Sequence, residues 1–438
     1  MRYDIRIINS IRKILNTFDF LHICRNNSKD FTRNRKISAK SIIYYELNKR
    51  GLSSKMEINN FTELLGMTEV TSVAMLKQRE KLNPVAFKYL NTSSLQIFYQ
   101  DYKKEVQCFK GYVLTAVDGS DIEIPNSKKT RKEYNSYTSS LNNEISARAT
   151  ISTQYDLLNK FVLDVEIQPY RTSEIAMMKK NLSAAKEIIK DFDILRIMDR
   201  GYVSLEDMYN SNVNGDKYLV RLRDTDFKQE RSQFRTNDFE MEIGYKDNRG
   251  KYYKKSNPAL CKYLKDGGTI KTRIIYIELE TGETEILATN IFDSEITVKD
   301  FEYMYNCRWG IETNYHYLKE SMKIENISSS KQILINQDIL SQMLVFNILQ
   351  SISNNLEKDI EQRRYKNKMK ININMAVGHI KNRMIFILLE DDNKIRDKLM
   401  EELDNKILKN IVPIRPGRKY LRRKGLKNKY HINKRKTF

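Results

Sequence analysis

The hydrophobic period changes at Tyr112, and this change constrains the fold more than any other feature of the chain. Before it, apolar side chains recur at helical spacing, as in residues 37–47 and 59–65. After it, the runs are those of strands. Tyr112-Val113-Leu114-Thr115-Ala116-Val117 predicts a strand ending at Asp118-Gly119-Ser120. Residues 149–155 and 160–167 predict a hairpin, and residues 173–189 an amphipathic helix. A strand over 194–198 ends at Asp199-Arg200-Gly201-Tyr202, followed by a short helix and a strand over 217–222. Strands followed by alternating helices and strands imply an α/β fold with a mixed sheet. Residues 225–292 are polar and strand-like, a β-rich insertion, and helix resumes over 298–319 and 338–352. In the last of these, Ile339, Leu340, Met343, Phe346 and Leu349 are core positions.

Composition narrows the partners. Of 438 residues, 77 are Lys or Arg and 56 are Asp or Glu, a net charge of +21, while 40% are apolar. That is enough apolar content for a sizeable core and too much for a disordered chain. No run of about 18 apolar residues occurs, so a membrane span is not expected. The first residues, with Arg2, Asp4, Arg6, Arg12 and Lys13, lack the apolar segment of a signal peptide. Cys24, Cys108, Cys261 and Cys307 form no CxxC pair, so neither a disulfide framework nor a thiolate zinc site is expected. A reduced, cytoplasmic setting is the expectation. The positive balance suggests a polyanionic partner, although an AT-rich gene would also raise Lys, Ile and Asn.

Two segments could meet that partner. Helix, Gly66-Met67-Thr68 turn and a helix over 71–82 outline a helix-turn-helix, with Lys77, Arg79 and Lys81 towards DNA. A small bundle with a solvated basic face gives the same pattern. From Arg415 to the end the chain is rich in Lys and Arg and has no Asp or Glu, which suits phosphate binding.

Chemistry rests on three acidic positions. Asp118 and Asp199 each follow an apolar run and precede a glycine turn, and strand ends of α/β sheets gather ligands. Each could instead simply start a turn or cap a helix. On the helix over 298–319, Tyr305, Arg308, Glu312 and Lys319 fall on one stripe about 60° wide. Such a stripe is either a solvated face, with an Arg308–Glu312 pair, or the wall of a site.

Asp118-Gly119-Ser120, Asp199-Arg200-Gly201-Tyr202 and Tyr305-x2-Arg308-x3-Glu312-x6-Lys319 together resemble the signature of DDE transposases, and most closely the insertion-sequence-four family of bacterial mobile elements. The resemblance covers about residues 112–319. It implies a ribonuclease H-like core interrupted by a β-rich insertion, in which Asp118, Asp199 and Glu312 are catalytic and bind two Mg²⁺ ions, with Mn²⁺ able to substitute. It implies double-stranded DNA as partner, both terminal inverted repeats and target, a homodimer on DNA and no membrane. Tyr305 and Arg308 would contact the phosphate near the cut and Lys319 the strand end, with Arg200 and Tyr202 also at the DNA. Family members stack an insertion tryptophan on a flipped base; the only Trp here is Trp309, expected at the core edge, leaving Tyr245, Tyr252 and Tyr253 as insertion aromatics.

The expected organisation is a helical DNA-binding domain over 1–105, a catalytic core over 106–224 and 293–355, the insertion over 225–292, and a helical region with a basic tail over 356–438. The expected activity is strand cleavage and strand transfer. The alternatives are a regulatory DNA-binding derivative without catalysis, and a ribonuclease H-like nuclease that does not join. Truncation at Arg415 should lower non-specific DNA affinity by about tenfold or more at low salt, measured by fluorescence anisotropy, while cleavage of an already bound end changes little.

Overall fold

The computed structural model describes residues 2–33, 35–138, 143–279 and 282–415. The basic tail beyond Arg415 lies outside them.

Six helices lead in: α1 (Tyr3–Ile14), α2 (Phe18–Cys24), α3 (Ala39–Asn48), α4 (Ser54–Leu64), α5 (Ser72–Arg79) and α6 (Val85–Gln96). Side-chain caps start several of them: Thr17, Ser38 and Thr71 each accept a backbone N–H of the first turn. Strand β1 (Tyr112–Glu123) follows, then α7 (Lys128–Tyr134), β2 (Ser136–Thr138), β3 (Ile145–Asp156), β4 (Val162–Pro169), α8 (Glu174–Ile188), β5 (Asp193–Met198), α9 (Leu205–Asn214) and β6 (Lys217–Leu222). β1 runs antiparallel to β3 and parallel to β5, β3 is antiparallel to β4, and β5 is parallel to β6. The order β4-β3-β1-β5-β6, with three antiparallel strands beside two parallel ones, is the ribonuclease H-like arrangement.

The segment after β6 extends the same sheet. It brings α10 (Lys228–Arg231), β7 (Asp238–Ile243), α11 (Asp247–Ser256), α12 (Pro258–Lys265), β8 (Ile270–Glu278) and β9 (Thr284–Thr289). β9 pairs with β6, giving nine strands in all among the described residues. The insertion thus carries three helices as well as three strands. Its polar helix α11 has no apolar face that a periodicity could reveal.

The remaining helices are α13 (Val298–Cys307), α14 (Trp309–His316), α15 (Gln332–Gln362), α16 (Ile373–Leu389) and α17 (Asn393–Leu408). A short pair, β10 (Met369–Ile371) with β11 (Ile411–Pro413), ties the end of this region together. α15 has 31 residues and is buried on every side over most of its length, with Ile339, Phe346 and Leu349 at 1% exposure or less. It crosses the expected boundary at 355.

The N-terminal helices do not form a detached unit. α1, α3 and α6 pack on α15, α3 packs on α16, and one apolar cluster runs from Tyr3 to Ile407. Arg79 shows why. It was expected at DNA, but it is 1% exposed, with Nε 2.5 Å from Glu46 Oε1 and Nη2 2.9 Å from Asp338 Oδ1 on α15. Lys49 bridges the same two carboxylates. Although burial opposes it, Lys49 and Arg79 hold the Asp338 carboxyl well below the usual range. Two cations and two anions are therefore buried as a neutral group between α3, α5 and α15. Local sequence shows only that Arg79 is basic, and the acids that bury it come from residues 46 and 338.

Removing one member of such a group strands a buried charge. Arg79→Leu should lower unfolding free energy by about 3–5 kcal/mol, measured by urea denaturation. Arg79→Lys should recover only part of it, because an ammonium lacks the planar fork whose separate nitrogens meet Glu46, Asp338 and Ser328 at once.

Candidate active site

The site forms where β1 and β5 part. Their parallel pairing runs from Tyr112↔Asp193 to Ala116↔Ile197 and then stops. Two residues further on, that register brings Asp118 level with Asp199, the residue immediately after β5. β1 does not end at Asp118, as the glycine turn suggested; it continues to Glu123 along β3. Asp118 thus sits within a strand that keeps one partner and has lost the other.

Helices α13 and α14 bring the third acid. Thr297 and Asp300 cap α13 reciprocally. The expected single helix over 298–319 is broken at Arg308 and ends in a wide turn over 317–321, in which Met322 N–H reaches Tyr317 O at 2.9 Å. Tyr315 fixes α14 against the sheet. Its hydroxyl donates to Asp118 O at 2.7 Å and accepts from Thr153 Oγ1 at 3.0 Å. Gly310 allows the close approach, since a Cβ there would lie 3.2 Å from Leu157.

The four stripe residues do face the β1–β5 edge. The Tyr305 hydroxyl donates to Asp199 Oδ1 at 3.3 Å, and Arg308 Nη2 donates to Glu312 Oε1 at 3.0 Å. Lys319 Nζ donates to Ser120 Oγ at 2.8 Å and to Asp121 O at 2.7 Å. Tyr305 is 2% exposed and its phenol is turned to Asp199, so the expected phosphate contact is corrected to support of a carboxylate. Tyr202, also 2% exposed, is likewise buried beside Glu174 and Asp118 rather than offered to DNA. Arg200 remains at the surface in the turn after β5. Trp309 is not at the core edge. It is 48% exposed, with the Arg308 guanidinium 4.8 Å from its ring centre.

Arg308 is the hub of the electrostatics. It is 6% exposed and acts on Asp118, Asp199 and Glu312 alike. Burial works against its cation, but Tyr305, Glu312 and Asp199 outweigh that and its pKa rises. Burial pushes the Asp118 carboxyl up to about 6; the Gly119 N–H, at 2.9 Å, and Arg308 oppose this, and Glu174 and Glu312 add to it.

Two further acids belong to this neighbourhood and carry no signal in the sequence. Glu174, the first residue of α8, lies over Gly119 so closely that a Cβ there would be 2.7 Å from its Oε1. Glu285 on β9 pairs with Arg221 at 3.0 Å and acts on Tyr305. Ser173 is legible as a helix cap, but which strand its helix covers is set by packing.

A hard divalent cation takes oxygen ligands, and the three candidate donors here are all carboxylates, with the Arg308 guanidinium close to them. In donor chemistry the residues fit such an ion. Among the described residues no three His, Cys, Asp or Glu side chains are grouped as a ready ligand set, and Glu312 is engaged by Arg308. Glu312 would therefore have to exchange Arg308 for the ion.

Because the folded pKa of Asp118 exceeds its ordinary 3.8, its ionisation costs stability as pH rises from there to about 6. In chelator, Asp118→Asn should raise the melting temperature at pH 7.5, on the order of 2 °C. The gain should vanish below pH 4, where both forms are uncharged; scanning calorimetry across that range checks it.

The chain is similar to a cryo-EM structure of the piggyBac transposase synaptic complex with hairpin DNA, at 9% identity and a TM-score of 0.43, over 91% of this chain and 85% of that one. No curated protein matches the sequence. The family model described as "Transposase DDE domain" matches residues 109–348, more than half of the chain and the whole stretch from β1 into α15. The chain belongs to the transposase DDE domain family.

Proposed function

We propose that the protein is a cut-and-paste DNA transposase of the insertion-sequence-four type, with Asp118, Asp199 and Glu312 as its catalytic acids. The observation that carries this reading is the convergence of all three on Arg308, from β1, the end of β5 and α14.

Asp118, Asp199 and Glu312 would hold two Mg²⁺ ions, or Mn²⁺ in their place, and the ions would supply charge stabilisation at the scissile phosphate and lower the pKa of the attacking oxygen. The residues have distinct tasks. Tyr305 fixes one oxygen of Asp199 and leaves the other for ligation. Tyr315 holds the backbone at Asp118, so that this carboxylate keeps its place relative to α14. Arg308 now pairs with Glu312, and with that carboxylate holding an ion its fork would be free for the phosphate oxygens. Lys319, on the Ser120–Asp121 segment, places positive charge where a strand end would lie.

In cleavage, a water oxygen bonds to phosphorus and the bond from phosphorus to the element's 3′ oxygen breaks, releasing a 3′-hydroxyl. In joining, that oxygen bonds to a target phosphorus and displaces the target's own 3′ oxygen. Cleavage is hydrolysis, and joining makes one phosphodiester for the one it breaks, so no external energy source is needed. Two element ends must be held together, which calls for a dimer on DNA. No helix among the described residues is long and apolar enough to cross a membrane.

Glu312→Gln should reduce cleavage of DNA carrying the sequences that flank the gene by about a thousandfold or more, as loss of a metal ligand does. Its DNA affinity should stay within about threefold, since a single exposed carboxylate is exchanged for its amide. Gel assays of nicked and joined products separate transposition from cutting alone. Retained cleavage would remove Glu312 from the chemistry.

A further inference from the structure

The loop between α2 and α3 forms a pocket that neither the acidic site nor the helix-turn-helix reading accounts for. Its cavity is about 450 Å³. Lys29, Arg33, Arg35 and Lys81 stand around it, and among the described residues no Asp or Glu lines it. Lys29, Arg33 and Arg35 are exposed, and their side chains pair with no described residue. The floor is apolar: Leu21 and Phe31 pack on the main core, and Ile37 is 6% exposed.

The pocket is built rather than incidental. Asn26 N–H bonds to Lys81 O at 2.9 Å and Asn83 N–H to Cys24 O at 2.8 Å, which pins the start of the loop to the end of α5. At the other end Lys36 Nζ donates to Glu69 O at 3.0 Å, and Ser38 caps α3. Phe31 adopts φ +54°, a conformation bulky side chains rarely take, and the residue lines the cavity. Four cations without a counter-ion, over an apolar and aromatic floor, match a group with a phosphate at one end and a flat ring at the other.

We infer that this pocket holds one phosphodiester-linked nucleotide of DNA, its phosphate among Lys29, Arg33, Arg35 and Lys81 and its base on the Phe31 floor. The inference rests on the proposed transposase function only for its choice of polymer. A base can reach such a floor only when it is unpaired, so the site favours a frayed or single-stranded segment over intact duplex. It also relocates the basic surface. Of the cations expected on the second helix of the helix-turn-helix motif, Arg79 is buried, Lys77 is exposed outside the pocket, and Lys81 lies in its wall.

The test uses the full chain and fluorescein-labelled oligonucleotides of mixed sequence, as a blunt duplex and as the same duplex with a single-stranded overhang. Tighter binding of the overhang is expected. The double variant R33Q/R35Q should weaken binding by about tenfold and reduce the slope of log affinity against log salt by about 1–2. Phe31→Leu should remove most of the overhang preference while leaving the salt slope unchanged. Melting temperatures of the variants establish that they fold. Unchanged affinity and slope in R33Q/R35Q would overturn the site, as would a parent that shows no overhang preference. Binding of free thymidine monophosphate as tight as that of the oligonucleotide would make it a small-molecule site and overturn the assignment to DNA. Cleavage lost in Glu312→Gln with these binding results negative would sink the pocket alone; the converse would sink only the catalytic reading.

Discussion

The end of parallel pairing between β1 and β5 is the constraint on which the site depends. Up to Ala116 the two strands are locked by hydrogen bonds, so the positions of Asp118 and Asp199 relative to each other are set by strand register. Beyond it, β1 stays paired with β3 alone, which keeps Asp118 rigid while clearing one side of it. A carboxylate in a loop would lose this precision, and one in mid-sheet would have no room for a ligand. Gly119 has a part in this, because the clearance it leaves is where Glu174 lies.

The helical side of the site is fixed from behind. Tyr315 joins α14 to β1 and β3 through one hydroxyl, and Tyr305 joins α13 to the end of β5. Both phenols are buried, so each hydrogen bond is made away from competing water and its loss would leave a polar group unsatisfied. Arg308 stands among the acids as their cation. Three carboxylates gathered without one would repel one another, and the guanidinium offsets part of that repulsion.

The same economy of charge holds the N-terminal helices in place. Glu46, Lys49, Arg79 and Asp338 neutralise each other inside the protein, joining α3 and α5 to the central helix α15. The consequence is that Arg79 is withdrawn from the surface, while Lys77 and the loop cations Lys29, Arg33 and Arg35 stay exposed. The N-terminal helices are thereby built into the core beneath the large sheet.

By itself the sequence determined the type of the strongly periodic elements. Strand and helix periods at 112–117, 194–198 and 338–352 are local properties of alternating or spaced apolar residues, and the structure has strand, strand and helix there. The spacing of Tyr305, Arg308, Glu312 and Lys319 likewise requires only helical geometry, and their shared face survives the break at Arg308. Tertiary structure alone decided what each polar side chain meets. Arg79 and Lys77 are both basic and two residues apart, yet one is buried against acids distant in the chain and the other is exposed. Glu174 stands at the site because α8 packs across β1, β3 and β4, a long-range choice that its neighbours in sequence do not encode. Burial and charge pairing depend on contacts between remote segments, and those arise only once the sheet and α15 have brought the segments together.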